Sequence, residues 1–333
     1  MKQQRIFLLM LLLFIHYISI IAVLPIKKVV IWGDKLHSHT HSYIHQAFYR
    51  TFKYLGYETY WLDNADNIRG YDFCNTLFIT EWQADEKIPL RDDCFYAIHN
   101  IKMPRNGGVS PRLSRYQRLI ESGKCINFRP THNMIPHDAI QMEPAIYYCF
   151  STETLYIPWA TDLLPYEIDV VKSEIKTRKK TNVIHLVGTH YPEINEFKAE
   201  AAAHGIQFRF HRGKTIEENK KLIQESYMAP AIVTDLQQTI DYIPCRLFKN
   251  ISYGQVGITN SRATNELFNN KLIFSEDKRK LFYLAREKIG SLDQQNLFEL
   301  MDIVKEKHTY VNRIHHLLQF IEMNFEQKKL GKA

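Results

Sequence analysis

Short apolar runs, each closed by glycine or a polar cluster and followed by an amphipathic stretch, recur along this chain. Lys28-Val29-Val30-Ile31-Trp32 reads as a buried strand ending in Gly33-Asp34, residues 43–55 as an amphipathic helix closed by Gly56, and residues 57–62 as a second strand. Strand, glycine turn, helix and strand open a parallel α/β domain. Further apolar runs at 76–79, 95–98 and 124–128 are separated by loops rich in Pro, Asp and Arg.

The same opening returns at 182–188 (Asn-Val-Ile-His-Leu-Val-Gly), followed by a predicted helix over 193–204 and a strand over 206–210. A helix over 216–226 and a strand over 231–234 come next. An amphipathic run from Arg246 (Leu247, Phe248, Ile251) then reaches a glycine turn at Gly254 and a short strand over 256–259. The chain ends in a helix near 264–268, a strand over 272–274 and helical stretches at 296–307 and 310–326. Between the two halves, Tyr156-Ile157-Pro158-Trp159-Ala160-Thr161-Asp162 reads as an extended hinge. The predicted architecture is α/β: two Rossmann-like lobes facing across a cleft. The N-terminal lobe spans 26–157, the C-terminal lobe 158–307, and a helical tail 308–333.

The length of 333 residues suits two domains, and the apolar and charged fractions are those of a folded globular protein. The 19 Tyr and 19 Phe read as core packing. The charge of +7 is spread along the chain, and the basic cluster at 172–180 reads as a solvated connector. No nucleic-acid module accompanies the charge, so no nucleic-acid partner is expected. The five cysteines show no C-x-x-C spacing and read as buried free thiols, which suit a reducing compartment.

Lys2 and Arg5 precede an apolar run over 6–25, which is predicted to be an uncleaved signal-anchor or a cleaved signal peptide. Lys27 and Lys28 flank its far side, so charge leaves the orientation open. The expectation is a membrane-anchored protein whose catalytic part faces the cytosol, or export after cleavage.

Helix, glycine turn and strand at 244–261 form a ligand-binding corner of a doubly wound sheet. An arginine at its mouth suits phosphate, because its planar fork matches two oxygens. The alternative for Arg246 is a helix-start arginine pairing with Asp241 or Asp235.

Three segments resemble the GT-B glycosyltransferases, in the branch related to spore-maturation enzymes with a "glycosyl transferases group one" C-terminal domain. They are the hinge Ile157-Pro158-Trp159-Ala160-Thr161-Asp162, the run Arg246-Leu247-Phe248 through Gly254 to Thr259-Asn260, and His308-Thr309-Tyr310 with Arg313. The resemblance implies a donor-binding second lobe, with Arg246 neutralising a nucleotide-sugar diphosphate. Asn260 and Ser261 would stand near the phosphates or the sugar, and Gly188 and Thr189 would form the first donor loop. Where the family usually places a glutamate, this chain has Lys249, which supplies charge to phosphate but cannot accept hydrogen bonds from ribose hydroxyls.

In the first lobe, Asp34, His37, His39 and His41 occupy the loop beyond the first strand, on the edge that faces the cleft. His39, His41 or Asp34 is the candidate general base, His99 and Asn100 the next acceptor-side candidates. Glu81-Trp82 and His190-Tyr191 occupy comparable strand ends. His37, His39 and His41 also have the alternation that converges on a metal ion, and equally that of a solvated loop capped at Ser42.

The expected reaction is transfer from a nucleotide sugar, as co-substrate, to a hydroxyl of a glycan, lipid or protein, with neither cofactor nor bound metal. The alternatives are a non-catalytic two-lobed binding protein and a sugar-nucleotide epimerase. Two-lobed binding proteins usually cross between lobes two or three times, whereas the pattern here shows one hinge and a tail.

Overall fold

The computed structural model describes residues 24–33, 35, 40–82, 84–101, 113–130, 135–175, 181–289, 291 and 294–331. The apolar run over 6–25 lies outside them except for its last two residues, and among the described residues no helix is long and apolar enough to cross a membrane.

The first lobe is an eight-stranded sheet built from β1 (Lys28–Trp32), β2 (Glu58–Leu62), β3 (Thr76–Glu81), β4 (Phe95–His99), β5 (Cys125–Arg129), β6 (Ile140–Glu143), β7 (Ile146–Cys149) and β8 (Thr154–Tyr156). The order is β2-β1-β3-β4-β5-β8-β7-β6, parallel from β2 to β8, with β7 antiparallel to both β8 and β6. Strands β3 and β4 are buried throughout, which is why they read as unbroken apolar runs. Helices α1 (Thr40–Tyr54) and α2 (Leu113–Glu121) join strands of this sheet. Thr40-His41-Ser42 carries no apolar residue, so periodicity marks α1 only from Tyr43. The helix begins three residues earlier, and Ser42 is buried within it rather than preceding it.

The second lobe follows α3 (Pro165–Glu174). It contains β9 (Val183–Val187), a 3-10 turn (Pro192–Ile194), α4 (Asn195–Ala203), β10 (Gln207–His211), α5 (Ile216–Glu225), β11 (Pro230–Ala231), α6 (Asp235–Thr239), α7 (Cys245–Ser252), β12 (Ile258–Thr259), α8 (Arg262–Leu267), β13 (Ile273–Phe274), α9 (Lys278–Ile289) and α10 (Gln294–Lys307). All strand pairs here are parallel, in the orders β10-β9 and β11-β12-β13. Tyr227 N–H donates to the Val183 carbonyl at 2.8 Å and links the two groups. Lys172, expected in a solvated connector, sits on α3 and pairs with Asp302 of α10 at 2.7 Å.

The last helix, α11 (Tyr310–Leu330), is no free tail. Its Tyr310, Ile314, Leu317, Phe320 and Ile321 join Ile31, Phe48, Ile79 and Phe128 in a core on one face of the first sheet. The chain therefore crosses between lobes twice, at 157–162 and again at 307–310. The crossings run side by side: Thr161 N–H donates to the His308 carbonyl at 3.0 Å, and Thr161 and Thr309 form a parallel bridge. Buried Arg313 closes the junction, donating to the carbonyls of Pro158 (2.7 Å) and Lys307 (2.8 Å) and to His308 Nδ1 (3.1 Å).

Candidate functional site

A cavity of about 540 Å³ opens between the lobes. One wall is first-lobe surface, Tyr43, Ile44 and Ala47 of α1 with Tyr310 of α11. The other is second-lobe surface from the ends of β9, β11 and α7, and Asp162 of the hinge stands between them.

The floor begins where β9 ends. Gly188 has φ +123°, a conformation that side chains other than hydrogen rarely adopt, and a Cβ there would stand 3.0 Å from Arg246 Nη2. Glycine thus both turns the chain and lets the guanidinium approach the backbone. Arg246 Nη2 reaches the Thr189 carbonyl at 3.5 Å, the outer limit of a hydrogen bond, and burial pulls its pKa below the ordinary value. Among the described residues no carboxylate pairs with it. Asp235, one of the two partners weighed for Arg246, pairs with Lys278 at 2.8 Å instead.

Helix α7 places Arg246 and Lys249 because its other face is apolar: Leu247, Phe248 and Ile251 are fully buried, and Gly254, at φ +88°, ends the turn behind it. Lys249 leans toward the hinge. Its ammonium lies 2.8 Å from Asp162 Oδ2 and 5.4 Å from the centre of the Tyr43 ring. Burial alone would lower its pKa, but the Asp162 carboxylate outweighs it and the net shift is upward. Asp162 Oδ1 accepts from Tyr253 Oη at 2.6 Å, and its carbonyl accepts from Arg50 Nη1 of α1 at 3.1 Å. Arg50 also pairs with Glu167 of α3 at 2.7 Å. First lobe, hinge and second lobe therefore meet at one residue, Asp162, through its carbonyl and its carboxylate.

Deeper on the floor, His185 Nδ1 faces His211 Nε2 at 2.9 Å. Burial first, and then neighbouring imidazole and basic groups, hold both histidines below their usual pKa. One ring nitrogen must donate and the other accept, so at least the accepting imidazole is neutral.

Of the six donor-side candidates, the structure brings Gly188, Thr189, Arg246 and Lys249 to the cavity. It places Asn260 and Ser261 elsewhere. The Asn260 amide accepts from Val233 N–H at 2.8 Å and donates to the Val233 carbonyl at 3.0 Å, tying β12 to the end of β11. Ser261 caps α8 through Thr264 N–H at 3.3 Å. Both are buried scaffold beneath the site, and their side chains are not in the cavity lining.

On the acceptor side, Asp34, His37 and His39 lie outside the described residues, and the metal reading with them. His41 falls in the first turn of α1 rather than in a loop. His99 ends β4 nearly buried, its ring 4.9 Å from Trp159 of the hinge and 5.5 Å from Phe128. Asn100 adopts φ +60° and donates its N–H to the Phe128 carbonyl at 3.2 Å. Glu81 ends β3 in register with His99. His190 packs on Phe210 and contacts Asn195 Oδ1 at 3.3 Å. Among the described residues no group of three or more His, Cys, Asp or Glu could hold a metal ion. Cys94, Cys125 and Cys149 are the buried free thiols expected, whereas Cys74 is exposed and Cys245 is half-buried at the cavity.

The sequence reading missed Asp162 as a cavity residue, together with Tyr43, Arg212 and His185. Asp162 left a trace as the last residue of the hinge motif.

No protein-family profile matches the chain, and no curated protein matches its sequence. Among solved structures, an α-glucosyltransferase in complex with UDP and a 13-mer DNA containing an HMU base superposes with a TM-score of 0.50 at 10% identity, covering 88% of this chain and 99% of that one. The fold is that of a two-lobed GT-B protein. T4 phage BGT in complex with UDP-glucose matches with a TM-score of 0.43 at 10% identity over 90% of this chain and 99% of its own. The likeness lies in the GT-B fold and does not extend to the spore-maturation branch, for which the three quoted segments stand alone.

Proposed function

We propose that this protein is a glycosyltransferase that moves a sugar from a nucleotide-sugar donor, held by the second lobe, to a hydroxyl acceptor presented by the first. The observation that carries this reading is Arg246. It is an arginine without a carboxylate partner among the described residues, on the cavity wall against the Gly188–Thr189 turn of a GT-B fold. A diphosphate there meets a planar guanidinium and the backbone N–H groups of the turn. Charge developing on the departing nucleotide is stabilised by groups already in place, Arg246 foremost. The general base belongs to the first lobe, with His39, His41 and Asp34 as candidates and His99 and Asn100 behind them.

The second crossing between lobes removes crossover number as an argument against a two-lobed binding protein. The unpaired cation at the cavity still favours the transferase, and nucleoside diphosphate binding with sugar turnover separates the two classes. The acceptor is open to glycan, lipid, protein or nucleic acid. Nucleic acid enters here because the α-glucosyltransferase of this fold was solved with a modified DNA, and because the chain carries a charge of +7. An anchor at 6–25 with the transferase on the cytosolic side remains part of the proposal. The test is release of nucleoside diphosphate from a panel of nucleotide sugars, with Arg246→Ala losing it and keeping the fold.

A further inference from the structure

Asp162 is the one carboxylate lining the cavity among the described residues. Its side chain is 1% exposed; Oδ1 accepts from the Tyr253 hydroxyl at 2.6 Å, and Oδ2 is held by charge to the Lys249 ammonium at 2.8 Å without an aligned hydrogen bond. Turning it toward a ligand would break its pairing with Lys249 and its hydrogen bond from Tyr253, a cost that one hydroxyl contact does not offset. Lys249 itself only donates. Gln237, also on the lining, has its carbonyl oxygen taken by Thr234 N–H at 3.0 Å.

A ribose offers its 2′ and 3′ hydroxyls as neighbouring donors, and α/β folds that read them do so with a free carboxylate. Among the described residues this cavity has no carboxylate other than the paired Asp162; its neutral acceptors are hydroxyl and amide groups such as Thr189 and Asn219, and its charged groups Arg246, Arg212 and Lys249 are donors suited to phosphate.

We propose that the cavity holds its donor by the diphosphate and leaves the ribose 2′-hydroxyl unread, so that 2′-deoxyribonucleoside diphosphates are ligands equal to their ribonucleoside counterparts. The specificity-determining pair is Lys249 with Asp162, which together withdraw the site's carboxylate from the sugar. This rests on the nucleotide-donor reading above and adds the class of nucleoside to it.

The experiment is titration calorimetry of the full chain with four matched pairs, UDP and dUDP, CDP and dCDP, ADP and dADP, GDP and dGDP. Each pair shares charge and base, so the difference isolates one hydroxyl. In the pair that binds most tightly, the two dissociation constants are expected to agree within about threefold, well under the loss of a satisfied hydrogen bond to a charged group. A ribonucleotide preference of about tenfold or more in that pair overturns the inference and leaves the donor reading standing. Absence of binding in all four pairs overturns both. Arg246→Gln is expected to weaken both members equally, by about tenfold or more. A loss confined to one member shows that the two do not share the phosphate site, and overturns the inference.

Discussion

The ammonium of Lys249 stands 2.8 Å from the carboxylate of Asp162, one on a second-lobe helix and the other in the hinge. Removing either partner leaves a buried charge alone. Asp162→Asn is expected to lower unfolding stability by about 3 kcal/mol, whereas Asp162→Asn combined with Lys249→Met, which keeps an acceptor for Tyr253, should recover most of it. Chemical denaturation of the two singles and the double variant measures the coupling. Additive losses would show that the pair is not a unit.

Arg313 spans the two crossings, and its guanidinium meets Pro158, Lys307 and His308. Arg313→Ala orphans two carbonyls and opens the junction, so a loss of about 2–4 kcal/mol is expected, read by thermal or denaturant unfolding. Arg313→Lys is expected to rescue only part, since one ammonium cannot reproduce the fork.

Much of this was legible beforehand. The second lobe's parallel strands and its glycine corner were visible because buried strands and Gly turns leave local marks. Gly188, Thr189, Arg246 and Lys249, grouped from the sequence, line one cavity. The return of the final helix was not legible, because Ile314, Leu317 and Ile321 give the same periodicity whichever lobe they cover. The β6–β7 hairpin was missed because β6 alternates (Ile-Gln-Met-Glu) over only four residues, all of them exposed, too short a stretch to mark a strand. Asn260 misled for a related reason: a polar residue at a strand's end suits a ligand site and an internal clasp equally, and only Val233 decides between them.

Acid should weaken the fold through its buried histidines. His308 accepts from Arg313 at Nδ1 and stacks on Phe248 at 4.5 Å, and burial holds its pKa well below the ordinary value. Its unfolded form titrates near pH 6.5, so the unfolded state binds the extra proton first. Stability is thus retained above about pH 6.5 and falls below it, by up to about 1.4 kcal/mol per pH unit for one such group. His308→Asn keeps an acceptor for Arg313 without titrating. Unfolding curves between pH 7.5 and 5.5 should be flatter for this variant by that amount, and identical slopes would remove His308 as the source.

Gly188→Ala places a methyl 3.0 Å from Arg246 Nη2 in a backbone region hostile to alanine. A stability loss of about 1–2 kcal/mol is expected, with nucleoside diphosphate affinity falling about tenfold as the guanidinium is displaced. Calorimetry on the folded variant separates the two effects. Unchanged affinity would place the phosphate away from this turn.

The central claim is that the cavity lined by Gly188 and Arg246 is a nucleotide-sugar site, and calorimetric titration with nucleoside diphosphates, comparing the wild-type chain with Arg246→Ala, tests it most directly. The account predicts one site per chain for at least one nucleoside diphosphate, with affinity reduced about tenfold or more in a variant that unfolds at the same temperature. No binding by the wild-type chain, or equal binding by the two proteins, would contradict it.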